Sequence, residues 1–413
     1  MDRDLFYTGI DLGTSKVCTI IARIGPEGEI KVLGIGIVPS QGVQKGRVDS
    51  PFDTQNAIKA SLEEAQRYLG RGITSAYLSV TGDHISCLNT TGSLDEPNGN
   101  GAISSEDVQN LIQSSYPDVA DSKEVLHVIP MTYEVDGLTE VRNPVGLYAD
   151  RVRVDSHVVL GDAPTLKNLV RSVEDCKISV RSLVVQPLAA AEATLTEDER
   201  EMGVMLLDIG GGTTDMVIFR SGSPWYTSVI PVGGNLITRD LSAALGVPSY
   251  AAEELKIKWG HAIPDEVPSD QEVPIPGFQG QPPRTALRRH MCIPIRERLF
   301  ETLKFALVRM QGAGLRQLPP GGMVITGGTA QIPGLQGMAE KMTGARVRIA
   351  SPILIPGLPS ELINPTYSAS VGTLLWGMKH QGEKRPYGYS DKTLQKNKPL
   401  ISVFRRKTQE TTV

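Results

Sequence analysis

"VMLLDIGGGTTDMVIF" occupies residues 204–219. Three consecutive glycines and Thr213-Thr214 sit between two short apolar runs, flanked by Asp208 and Asp215. Apolar runs of this length around a glycine turn read as a β-hairpin of buried strands. Burying a carboxylate is costly unless something compensates its charge. A glycine turn exposes successive backbone N–H groups with no side chain in the way, and such a concavity binds anionic oxygens. The stretch therefore reads as a turn shaped to grip phosphates.

The motif recurs. "YTGIDLGTSKVCTIIA" at 7–22 again runs apolar strand, Asp-apolar-Gly, small residues, apolar strand. Asp11 and Gly13 correspond to Asp208 and Gly210, 197 residues later. A third junction, "GGMVITGGTAQIPGL" at 321–335, reads as strand, Gly-Gly turn and the start of a helix. Two similar halves facing each other would place all three turns around one cleft. Thr14, Ser15, Thr213 and Thr214 add hydroxyl donors, and Lys16 adds a positive charge. Mg²⁺ is commonly held through one or two carboxylates plus substrate phosphates, so Asp11 and Asp208 are the candidate metal partners, through water. A single glycine hairpin would be an ordinary tight turn; the ordered set of three favours a nucleotide. The chain lacks G-x-x-x-x-G-K-[ST] and G-x-G-x-x-G.

At 413 residues the chain is too long for one ordinary core, so two or more domains are expected. A composition of 40% hydrophobic and 21% charged residues is that of a globular protein, and a net charge of −4 gives no reason to expect a nucleic-acid partner. Cys18, Cys87, Cys176 and Cys292 form no C-x-x-C and read as reduced thiols. The six histidines show no metal-ligand spacing. The charged start "MDRDLFYTG" lacks the core of a signal peptide, and no apolar run approaches the roughly 18–20 residues of a spanning helix. An intracellular protein with peripheral membrane contact at most is expected.

Between the hairpins, 51–70 carries Ala57, Ile58, Leu62, Ala65 and Leu69 at helical spacing, and 75–82 reads as a strand. Residues 84–162 alternate like half-exposed strands around a helix, with Ser104 and Asp107 as a capping box. They read as a small α+β module inserted into the first half. The segment 262–285 is rich in proline and glycine and reads as a loop or edge hairpin. A long helix is expected over 292–314, with Pro294 near its first turn. The resulting partition is a first lobe over 1–83 and 163–200, the module over 84–162, a second-lobe core over 201–232 and 321–380 with an insertion over 233–320, and a basic linker and tail over 381–413.

"GIDLGTSKV", "LLDIGGGTTD" and "VITGGTAQIPGL" resemble the two phosphate loops and the adenosine loop of the actin-like ATPase superfamily. "VIPMTYEVDGLTEVRNPVGLYADRVRVDSHVV", "VQPLAAAEATL", "VGGNLITRDL" and "AEELKIKWG" are more specifically similar to the FtsA family of bacterial cell-division actins, over residues from about 7 to 380. The resemblance implies an α/β, two-lobed actin-like fold with a small inserted α+β subdomain, and an ATP and Mg²⁺ site between the lobes. Carried onto this chain, Gly13, Thr14, Ser15 and Lys16, with Gly210, Gly211, Gly212 and Thr213, would hold phosphates. Gly327, Gly328 and Thr329 would lie near the α-phosphate and sugar. Gly234, Glu253 and Lys256 would border ribose and adenine, although the spacing of Glu253 and Lys256 suits a solvated helix face as well. Gln186 is the candidate for positioning a water; otherwise it is a polar residue at a helix start. No strong general base is visible, so firm ATP binding with slow hydrolysis at most is expected.

The resemblance also implies filament self-assembly and a second-lobe surface for the C-terminal tail of FtsZ, the division tubulin. Arg296 matches a family position for that contact, and Arg288 and Arg289 suit a carboxylate-bearing tail. Residues 381–413 carry eight Lys/Arg against three Asp/Glu, a balance of +5. In "KNKPLISVFRRKTQETTV", Leu400, Ile401, Val403 and Phe404 could form one short apolar face with Arg405 and Arg406 beside it. Such a face would bind an anionic membrane weakly per copy and well through filament avidity; a plain polar tail is the other reading. The family places the protein on the inner face of the cell membrane. Two alternatives stay open within the superfamily: a sugar kinase, which needs a base aimed at a hydroxyl, and a pilus-assembly-type ATPase, which would ignore FtsZ tails.

Overall fold

The computed structural model describes residues 5–25, 28–67, 69–70, 72–97, 102–277 and 282–380. The chain opens with β1 (Leu5–Leu12), β2 (Lys16–Ile24), β3 (Ile30–Pro39), a small hairpin of β4 (Val43–Gln44) and β5 (Arg47–Val48), α1 (Pro51–Gln66) and β6 (Ser75–Val80). It then forms β7 (Ser86–Asp95), α2 (Ser105–Ser114), β8 (Lys123–Val135), β9 (Leu138–Val141) and β10 (Arg151–Asp162). α3 (Ala163–Glu174), β11 (Ser179–Val185), α4 (Gln186–Thr194) and α5 (Glu197–Met202) follow. The second half holds β12 (Val204–Ile209), β13 (Thr214–Arg220), β14 (Ser223–Ile230), α6 (Gly234–Leu245), α7 (Ser249–Trp259), β15 (Glu272–Ile275), β16 (Arg284–Leu287), α8 (Arg288–Gly312), β17 (Met323–Thr326), α9 (Leu335–Thr343), β18 (Val347–Ile349) and α10 (Ser368–Lys379).

Two five-stranded sheets repeat one topology. Lobe one runs β3-β2-β1-β6-β11 and lobe two β14-β13-β12-β17-β18. In each, three strands form an antiparallel meander and two more add in parallel beyond the first. Helices pack the central strands on both faces, which is why β12 is buried along its whole length and reads as a continuous apolar run. Asp11 pairs with Cys18 and Asp208 with Asp215 at matching places in the two hairpins.

The helices that end each half change sides. α4 follows the last strand of lobe one and packs against β12 and β13, whereas α10 follows the last strand of lobe two and packs on β1, β2 and β6. The larger apolar core therefore includes Ile10, Ile20 and Leu78 of lobe one together with Leu206 and Val217 of lobe two. A second core fills the outer side of lobe two. Any change of angle between the lobes must pass through these crossed helices.

Residues 86–162 form a separate sheet, β7-β10-β8-β9, with α2 on one face and a small core of its own. The capping box is present: Asp107 N–H donates to Ser104 Oγ at 3.1 Å and Ser104 N–H to Asp107 Oδ2 at 2.8 Å. The proline-rich segment contains the short hairpin β15-β16. One expectation is corrected. α8 begins at Arg288 rather than Cys292, so Pro294 lies inside the helix and not in its first turn. Arg288 N–H donates to Gln271 O at 2.8 Å, which seeds an earlier turn. The acceptor that Pro294 leaves idle is the carbonyl of His290, an exposed residue.

Candidate functional site

The two hairpin turns face each other across a cleft of about 450 Å³. Each turn is closed by one backbone bond, Gly13 N–H to Lys16 O at 3.0 Å and Gly210 N–H to Thr213 O at 2.9 Å. The cleft is lined by Asp11, Gly13, Thr14, Ser15 and Lys16 from lobe one, and by Asp208, Gly210, Gly211, Gly212 and Thr213 from lobe two. Gly327, Gly328 and Thr329 enter from the turn after β17, Gly234 from the start of α6, Glu253 and Lys256 from α7, and Gln186 from the first position of α4. The structure thus gathers these residues in one place, but not Thr214, read above as a hydroxyl donor to the site: it is buried on the strand and its Oγ1 donates to Val232 O at 2.8 Å. The turns abut: a Cβ on Gly211 would lie 2.3 Å from Ser15 Oγ, and one on Gly212 would lie 2.4 Å from Thr14 Oγ1. Only glycine allows the lobes to approach this closely.

Three carboxylates meet at the floor. Asp11 accepts from Ser79 Oγ at 2.7 Å, Gln186 Nε2 at 2.9 Å and Ser370 Oγ at 2.6 Å. Asp215 accepts from Thr213 Oγ1 at 2.9 Å and, across the cleft, from Thr81 Oγ1. Burial pushes its carboxyl up to about 7, with those two hydroxyls opposing. Asp208 is different: among the described residues no donor reaches its carboxylate within hydrogen-bond distance. Burial, then the negative charges of Asp215 and Asp11, push it up to about 8, with Lys16 opposing. The like charges are forced together because Asp208 and Asp215 are directly paired across neighbouring strands.

This donor set fits a hydrated divalent cation. Asp208 is buried, lacks a partner and faces the phosphate turns, as a magnesium site held through one or two carboxylates requires. Among the described residues no three His, Cys, Asp or Glu side chains form a direct metal cage. Contact through water, with phosphate oxygens completing the shell, suits the arrangement.

Lys16 donates to Thr366 O at 2.7 Å and lies over the Tyr367 ring at 5.0 Å. Lys256 is buried and donates to Gly234 O at 3.1 Å and Thr238 Oγ1 at 2.9 Å, with Glu253 Oε2 at 2.6 Å. These two residues form a braced pair and not a freely solvated face. Thr329 Oγ1 donates to Gly210 O at 3.1 Å, so the third turn is tied to the second. Ile257, Ile332 and Pro333 give the far end of the cleft an apolar wall.

The arginines separate. Arg288 points inward, donating to Trp259 O at 2.8 Å and Gln271 Oε1 at 3.0 Å. Arg289 is paired with Asp265 and Arg296 with Glu297, and of these Asp265 and Arg296 line a surface groove of about 330 Å³. Phe300, Met338, Met342 and Lys341 also line that groove. Leu400, Ile401, Val403, Phe404, Arg405 and Arg406 lie outside the described residues. All four cysteines are free, with Cys18 and Cys292 buried.

Over 384 residues the chain is 35% identical to the "Cell division protein FtsA" of Escherichia coli K12, an alignment covering 91% of each. The chain belongs to the FtsA family. A Borreliella burgdorferi FtsA is 34% identical over 400 residues, covering 96% of this chain and 97% of that one. The family model described as "Cell division protein FtsA" matches residues 205–372, and "SHS2 domain inserted in FTSA" matches 82–160. Among solved structures, a "PilM-PilN type IV pilus biogenesis complex" superposes with a TM-score of 0.63 at 16% identity, covering 90% of this chain and 98% of that chain. The EutJ protein of Carboxydothermus hydrogenoformans gives 0.53 at 15%, covering 91% of each. These likenesses show the actin-like fold. Membership of the FtsA family sets aside the sugar-kinase and pilus-assembly alternatives.

Three hydrogen-bond donors at the floor of this cleft escaped the sequence reading, Ser79, Thr81 and Ser370, and Asp215 was noted there without a role. Asp215 was visible as the second acid of the hairpin, and a register count would have placed it opposite Asp208. Ser79 and Thr81 stand at the carboxyl end of a strand, where α/β sheets gather ligands. Ser370 gives no local signal, since its partner Asp11 is 359 residues away.

Proposed function

We propose that this FtsA-family chain binds Mg²⁺ and ATP in the interlobe cleft and uses the bound nucleotide to fix the lobe angle for self-assembly. The supporting observation is the mirrored pair of glycine turns above an unpartnered buried carboxylate, Asp208. The main-chain N–H groups of 14–15 and 211–212 would receive phosphate oxygens. Asp208 and Asp11 would hold the cation through water, and Thr329, Gly234, Lys256 and Ile332 would border the nucleoside. When bound, the cation supplies charge neutralisation for the phosphates and for the three carboxylates. Gln186 is tied to Asp11, and Asp208, the unpartnered carboxylate of the cleft, is assigned to the cation and not to a water, which supports slow hydrolysis at most. Calorimetry with Mg·ATP tests the reading; no binding heat, with Asp208→Ala assembling like the parent, would sink it.

The same proposal places the protein on the inner face of the cell membrane, linking it to the FtsZ ring. The groove at Arg296 and Lys341, floored by Phe300, Met338 and Met342, suits a tail carrying both apolar residues and carboxylates. An acidic FtsZ tail peptide should lose affinity on Arg296→Glu, whereas Arg288, turned inward, should act only through stability. Residues 400–406 are proposed as a weak anionic-membrane anchor made effective by filament avidity. Vesicle co-sedimentation of the full chain against one ending at Gln381 tests that part.

A further inference from the structure

The insert of residues 86–162 touches both lobes, and a buried histidine stands at each contact. On β8, His127 Nε2 accepts from Val185 N–H at 3.2 Å. Val185 is the residue before Gln186, which donates to Asp11 in the cleft. On β10, His157 sits within a closed circuit that starts and ends on β14, the edge strand of lobe two. Thr227 Oγ1 donates to His157 Nε2 at 2.9 Å, His157 Nδ1 donates to Asn89 Oδ1 at 2.8 Å, and Asn89 Nδ2 donates to Trp225 O at 3.2 Å. One neutral tautomer satisfies the whole circuit. Thr227 N–H, an edge-strand donor, is taken up by Cys87 Sγ at 3.4 Å. Farther out, Arg142 reaches Glu201 at 2.5 Å. Burial holds both histidines neutral, pushed down to about 3.

We infer that the insert is a third strut between the lobes, with His127 and His157 as positioning residues that tie its orientation to closure of the nucleotide cleft. The two crossed helices form the hinge, and the strut spans the lobes on the outside. It is seen here with the glycine turns abutting, so it braces the closed arrangement. A partner docking on the insert and a nucleotide in the cleft must then influence each other's affinity equally. The lever acts through β14 and its neighbour β13, which carries Asp215, and through the first residue of α4.

This inference rests on the nucleotide reading, and the test separates the two. Release of a fluorescent ATP analogue by the full chain is followed by stopped flow, with amide exchange of residues 151–162 measured with and without nucleotide. Thr227→Val is isosteric and removes only the hydroxyl donor; His157→Gln keeps one donor and one acceptor. Release from Thr227→Val should be about fivefold faster, the equivalent of one lost hydrogen bond. His157→Gln should stay nearer the parent. Nucleotide should slow exchange of 151–162 in the parent and not in Thr227→Val. Release rates equal to the parent's, or nucleotide protection of 151–162 persisting in Thr227→Val, would overturn the strut alone. A parent that takes up no analogue would overturn the nucleotide reading, and the strut with it.

Discussion

On the proposed reading, Asp208 should make nucleotide binding a proton-coupled event. Its carboxyl is pushed from the ordinary 3.8 up to about 8. At pH 7 the nucleotide-free form should therefore carry a proton on Asp208, whose titration is coupled to the charge of Asp215 across the strand pair. A dication at the site requires the ionised form, so binding expels that proton. At pH 7 close to one proton, roughly 0.9 from a group titrating about one unit above, should leave per Mg·ATP bound. Affinity should rise almost tenfold per pH unit below about pH 8 and level off above it. The sign in the empty protein is opposite. The folded state keeps a proton that the unfolded chain has lost, so stability falls as pH rises from 3.8 through about 8. The full penalty for ionising Asp208 without a cation has an upper limit of about 6 kcal/mol. Asp208→Asn removes both effects: the empty variant gains stability above about pH 8, and its binding is weaker and loses the proton term. Titration calorimetry in phosphate and Tris, from about pH 6 to about pH 9, reads the proton count directly. Identical heats in the two buffers, or the same proton release from Asp208→Asn, would refute the reasoning.

Gly327 has φ +90, and a Cβ there would lie 2.4 Å from Asp208 Oδ1 and 2.5 Å from Ile209 O; Gly327→Ala should cost at least about 2 kcal/mol by urea denaturation and weaken ATP binding. Thr81→Val removes a bond that crosses the cleft to Asp215 and should lower stability by about 1–3 kcal/mol, the change being largest where Asp215 is ionised, above about pH 7. His127 and His157 titrate near 3 in the fold against 6.5 ordinarily, so the unfolded chain binds more protons between those values. Stability should therefore fall as pH drops from about 6.5 toward 3, and His157→Gln should shallow that slope in urea titrations at pH 5 and 7.

The duplicated sheets were legible because each places the same Asp-x-Gly turn at the same strand end, and a short hairpin carries its whole signal locally. The insert was legible from a change of period, and its helix start from Ser104 and Asp107. What the sequence concealed was everything set by long-range contact. α8 starts a turn early because Gln271 receives Arg288 N–H, a contact across an irregular segment. Arg288, read as a surface cation, is drawn inward by Trp259 and Gln271. His127 and His157 showed no ligand spacing, and their partners Val185 and Thr227 lie in the two lobes, where periodicity gives no guide.

Asp11 shows why the cleft can move the whole molecule. An ionised carboxylate offers about four lone-pair sites. Three are already filled by Ser79 on lobe one's strand end, by Gln186 at the head of α4 and by Ser370 in the first turn of α10. A hydrated cation therefore meets Asp11 either through the single remaining site or by displacing one of these donors. Gln186 and Ser370 belong to the two helices that change lobes, so displacing either loosens one crossing helix and leaves the other tied. On the proposed reading, even a small shift at this carboxylate would be passed to helices packed beneath both sheets, since packed interfaces pass between discrete arrangements instead of deforming smoothly. On the proposed reading, lobe angle would then be set by which donor Asp11 retains.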